Sequence, residues 1–91
     1  MIAIDEKMSA VIERALTSAA SSRAWANAIR RAATEFESNP YLHYNGKELI
    51  ILSSSSDNIY HANGSCQCKA YSLSRPCWHR AAARLVERYY E

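Results

Sequence analysis

The chain has 91 residues, 48 % of them apolar, and a formal charge of +2 from 11 basic and 9 acidic side chains. That length allows one small domain with a thin core, or a small module with a helical appendage, and folds of this size often need a staple such as a metal ion. The charge balance alone says little about partners. Residues 1–39 net zero (Lys7, Arg14, Arg23, Arg30 and Arg31 against five acids), and residues 40–91 carry the whole excess. Asp5, Glu6 and Lys7 interrupt the start, which does not read as a signal peptide, and no apolar run reaches bilayer length. The expectation is a soluble intracellular protein that does not meet a membrane.

Residues 5–20 repeat apolar side chains at helical spacing: Met8, Val11, Ile12, Ala15, Leu16 and Ala19. Ser21 and Ser22 interrupt, and Ser22 suits the N-cap of a second helix bearing Trp25, Ala28, Ile29, Ala32 and Phe36 on one side. Asn39-Pro40 ends it, because the residue before proline is pushed out of the helical region. So short a break predicts an antiparallel helical hairpin over 1–39. The period then changes. Residues 48–52 form a short, largely apolar run rich in β-branched side chains, 53–58 are turn formers, and 59–62 can pair back as a second strand. Pro76 sets up a final helix over about 77–90, with Trp78, Ala82, Leu85 and Tyr89 at core spacing. The expected fold is α+β, a helical hairpin plus a β-β-α module over 40–91, the two forming one compact unit.

Within that module stand Cys66, Cys68, Cys77 and His79, the pattern C-x-C, eight residues, C-x-H. Four soft-to-borderline donors in two close pairs suit a tetrahedral zinc site. On extended or turning backbone, Cys66 and Cys68 project to the same side. In mid-helix the same spacing would send the side chains about 200° apart, so the second pair works only at a helix start. There Cys77 takes the non-helical entry and His79 the first turn. An odd cysteine count argues against a disulfide framework. A catalytic Cys/His pair would leave the other cysteines idle and has no orienting signature. Four protein ligands close the coordination sphere, so no position remains for an activated water and no enzymatic role is expected. His43 and His61 are the spare candidates for the fourth ligand, though neither has a ligand-like neighbour at close spacing.

A hairpin, C-x-C, a short connector and C-x-H opening a helix resembles the SWIM-type zinc finger. The likeness runs through Leu49-Ile50-Ile51-Leu52, Ile59-Tyr60, Cys66-Gln67-Cys68, Cys77-Trp78-His79, Ala81-Ala82-Ala83 and Leu85-Val86. It covers about residues 47–88 and leaves the N-terminal helices unmatched. The resemblance implies Zn2+ binding and an interaction role with DNA or with proteins. One position departs from the pattern: the residue between the last pair of ligands is often lysine in that family, and here it is Trp78.

Arg80, Arg84 and Arg88 recur every four residues on the last helix and form a basic stripe that Lys69 and Arg75 extend. Such a stripe suits phosphate contacts, the sequence-independent component of nucleic-acid affinity. The bland alternative is a solvated face on which Glu87 pairs with Arg84 at i, i+3. Arg23, Arg30 and Arg31 with Asn27 make a smaller patch of the same kind. Tyr60 and Tyr89 are expected to pack, whereas Tyr41, Tyr44, Tyr71 and Tyr90 are candidates for stacking on bases or anchoring a protein contact. The reading that follows is a small zinc-stabilised adaptor that binds nucleic acid, DNA in the first instance. The alternative is a protein-interaction module, an inhibitor or a subunit of a larger complex that uses the N-terminal helices. The first of these helices could also form a homodimer through Met8, Ile12 and Leu16.

Overall fold

A computed structural model describes residue 2 and residues 4–39, 41–52, 59–62 and 76–91 of the chain. Helix α1 spans Glu6–Ser18, and Asp5 caps it with a carboxylate oxygen that accepts the Met8 N–H at 2.9 Å. This satisfies one of the N–H groups left over at a helix start, and the negative charge suits the positive end of the helix dipole. The chain leaves the helix at Ala19 and turns through 19–22, where the Ser22 N–H reaches the Ala19 carbonyl at 2.9 Å. Extended Ser22 then caps α2, Arg23–Ser38, its hydroxyl accepting from the Trp25 N–H at 3.4 Å. Asn39 ends α2 in an extended conformation, as a residue before proline should. Its buried amide oxygen accepts the Tyr41 N–H at 2.8 Å, so the polar group costs little where it sits. The helices pack on one another, as the serine break predicts.

The sheet has three strands, where the sequence suggests a simple hairpin. Strand β1, Leu42–Tyr44, precedes β2, Leu49–Leu52, and β3, Ile59–Ala62, in the antiparallel order β1-β2-β3. The added hairpin turns at 45–48. Gly46 sits at φ +95°, in the region that favours glycine, and the Asn45 side chain accepts the N–H groups of Lys47 and Glu48, each at 2.9 Å. The register sets Leu42 opposite Ile51 and Ile51 opposite Tyr60, which places these three on one face. His43, Ile50 and His61 are likewise cross-strand neighbours and lie on the other. The turns expected at 53–58 and at Asn63-Gly64 lie outside the described residues.

The final helix, α3, spans Trp78–Tyr89 and packs against α1, α2, β2 and β3. Ala81, Ala82 and Ala83 are all buried, and side chains this short let neighbours approach from more than one side. Among the described residues, Phe36, Met8, Leu49, Ile51, Leu85 and Val86 are the large side chains sealed from solvent, each contributing about 1.5–3 kcal/mol of burial. They belong to one apolar cluster that crosses residue 40, so the hairpin and the module share a core. Met8 lies wholly inside it, while Ile12 and Leu16 pack half-buried against it. Helix α1 thus covers the chain's own core.

The ends of the described chain meet. The Tyr89 hydroxyl donates to Asp5 at 2.7 Å, and the Lys7 ammonium lies 5.0 Å from the Tyr89 ring centre. The Met8 N–H, and then Tyr89, hold the Asp5 carboxyl below its ordinary value. The same bond to Asp5, helped by desolvation, raises the Tyr89 phenol above its own.

Candidate metal half-site and basic groove

Cys77 and His79 sit at the start of α3, where the spacing argument requires them. Cys77 is the N-cap, extended at φ −119° and ψ 148° and only 5 % exposed, and its Sγ accepts the Arg80 N–H at 3.4 Å. A sulfur there faces the positive end of the helix and already receives one backbone N–H. His79 occupies the first turn, where the Cα–Cβ bond tilts toward the helix N-terminus and so toward Cys77. Its ring stacks on Tyr60 at 4.8 Å between centres and meets Trp78 at 4.3 Å. These rings fix the imidazole from β3 on one side and from its own helix on the other. Cys66, Cys68, Lys69 and Arg75, and with them the C-x-C pair and most of the connector, lie outside the described residues. Among the described residues, no three His, Cys, Asp or Glu side chains come together in a way that could hold a metal ion.

The spare histidines point elsewhere. His61 follows Tyr60 on β3, so strand alternation turns it to the opposite face, where its Nδ1 lies 2.8 Å from Glu48 Oε1. His43 shares that outer face through Ile50. Neither is presented on the side where His79 packs.

Helix α3 also brings the basic stripe together. Arg80, Arg84 and Arg88 all line a cavity of about 670 Å³ between α1, α2 and α3, and Arg14 of α1 lines it as well. Arg84, Arg88 and Arg14 are exposed, and among the described residues no ion pair joins Glu87 to Arg84. Arg80 is half-buried, with its guanidinium 5.4 Å from the centre of the Trp25 ring. A reciprocal contact runs the other way, where Arg31 of α2 lies 5.8 Å from the Trp78 ring. Each helix therefore offers an indole to a guanidinium of the other, and a positive charge stands over the residue that interrupts the C-x-H pair. The smaller patch is tied up locally: Arg30 bonds Asn27 at 3.3 Å, and Arg31 pairs with Glu35 at 3.2 Å.

Sequence patterning marks the arginines of α3 but misses Arg14, whose neighbours on α1 give no hint of a shared cavity. It also places Tyr44 among the exposed residues, whereas Tyr44 is half-buried and stacks on Tyr90 at 5.5 Å with parallel rings. Tyr41 and Tyr90 are exposed as expected, and Tyr71 is outside the described residues. Among the described residues no helix is long and apolar enough to cross a membrane. No protein-family model matches the chain, and no curated protein or solved structure does either.

Proposed function

We propose that the chain is a non-enzymatic binding module, stapled by one zinc ion on Cys66, Cys68, Cys77 and His79, that binds DNA through the arginine face of α3. The donor chemistry of the described half-site fits the ion: a buried thiol at a helix entry, with an N–H already on its sulfur, and an imidazole in the first turn held by neighbouring rings. Zinc would tether the C-x-C pair to the start of α3 and so hold the helix against the sheet. What carries the nucleic-acid reading is that three arginines from α3 and one from α1 line one cavity instead of scattering over the surface. Lys69 and Arg75 would extend that face. Arg31, over Trp78, supplies a cation beside the position where the SWIM-type pattern often has lysine.

Affinity on this reading comes from phosphate neutralisation and falls with salt. Replacing Arg80, Arg84 and Arg88 together by alanine should weaken binding of a labelled DNA in an anisotropy titration. The salt slope should drop by about one for each arginine that meets a phosphate. Thermal melting must stay close to wild type. Unchanged DNA affinity in a folded triple variant would reject the surface.

A further inference from the structure

The cavity that gathers the arginines is concave and has an apolar floor, which selects among nucleic acids. We infer that it receives an unpaired nucleobase, so that the strand bound is single. This rests on the nucleic-acid reading above and adds to it the form of the ligand.

The floor is the wrong surface for phosphate. Val11, Ile29 and Leu85, all buried core residues, line it together with half-buried Trp25. Phosphates gain nothing from such a surface, whereas the flat face of a base does. A duplex keeps those faces stacked inside and offers a pocket only its charged exterior and its base edges. A single strand can turn a base outward, and single-stranded sites combine a basic groove with aromatic side chains for this reason. About 670 Å³ falls within the usual range of small-molecule pockets, roughly 300–1,000 Å³, enough for a base and its sugar.

A cation–π contact is already in place: the Arg80 guanidinium lies over the Trp25 ring at 5.4 Å from its centre, and both groups line the cavity. Guanidinium planes and indoles are the surfaces on which unpaired bases settle, so both groups of this pair suit a base. Around it, Arg14 on α1 and Arg84 and Arg88 on α3 supply positive charge on facing walls for the flanking phosphates. Glu87 and Glu91 also line the cavity and interrupt that charge. They disfavour the dense double row of phosphates on a duplex more than the sparser charge of one strand.

The test uses the full zinc-loaded chain with one fluorescein-labelled oligonucleotide, presented as a single strand and as a blunt duplex at equal salt. Single-strand affinity should exceed duplex affinity by about tenfold, the scale of one stacked base. Ala15→Phe adds bulk to the cavity and removes no charge. Ala15 lines the cavity, so the added ring should lower single-strand affinity more than duplex affinity and abolish the preference. Equal affinity of wild type for both forms would overturn the base pocket and leave the DNA reading standing, whether or not the variant folds. A preference that survives in folded Ala15→Phe would also overturn it. Binding of a labelled acidic peptide, with neither oligonucleotide bound, would assign the groove to a protein partner and overturn both readings.

Discussion

At its first turn α3 is capped by a buried sulfur beside half-buried rings; at its last turn it is held by a hydroxyl-to-carboxylate bond and a stack on an exposed tyrosine. The entry has Cys77 capping from inside the core, Tyr60 on His79, and Arg31 over Trp78. The exit has Tyr89 donating to Asp5, Lys7 beside the same ring, and Tyr90, 67 % exposed, against Tyr44. The cap on the buried Cys77 sulfur gains strength from the low local dielectric, whereas the exit contacts, like that of the exposed Arg31 at the entry, are screened and exchange with water. The entry therefore answers to chemistry at one sulfur, and the exit answers to pH and salt, weakly.

The sharpest break in that contrast is Cys77→Ala. Loss of a cap alone costs about 1 kcal/mol, whereas loss of a structural zinc ligand removes a binding energy on the order of 10 kcal/mol from the fold. Urea or thermal unfolding, with and without a chelator, separates these cases by size. A wild-type protein whose melting ignores the chelator, and a variant that loses only cap-sized stability, would end the zinc reading. Next in size is Tyr60→Leu, which keeps apolar bulk on β3 but removes the ring stacked on His79. It should cost about 0.5–1.5 kcal/mol at the entry, read from the shift in urea midpoint.

The smallest effect belongs to Tyr89→Phe at the exit, and its pH window can be stated. Asp5 is shifted below 3.8, so its share of stability is present above that pH and fades as acid brings the carboxyl to its lowered folded value. Tyr89 is shifted above 10.0, so its share is present below that pH and fades as base reaches the raised folded value. Melting curves of wild type and variant should differ by a small constant amount between these limits and converge beyond both. A gap that stayed constant far into acid would mean that Asp5 is not the acceptor.

The same contrast bears on what is legible in the sequence. Helix boundaries can be read where one residue decides them: Ser22 as a cap, Asn39 before proline, Cys77 after Pro76. Strand β1 escapes because Leu42–Tyr44 is too short to show alternation, and its one local sign, Asn45-Gly46, sits in the turn that follows it. The proposed ligand set rests on spacing, and only Cys77 and His79 of it are among the described residues. The cavity is not legible at all. Arg14 meets Arg84 and Arg88 only because α1 and α3 pack together, and no periodicity within either helix encodes the crossing. The reciprocal indole and guanidinium contacts between α2 and α3 are hidden for the same reason.

The bond between Asp5 and Tyr89 joins positions 84 residues apart and closes a ring of chain that contains every described helix and strand. A short covalent bridge between those neighbours would complete the ring with little distortion and withdraw entropy mainly from the unfolded chain. The tyrosine latch thus marks the place where one cross-link would stiffen every described element at once while α3 keeps its neighbours.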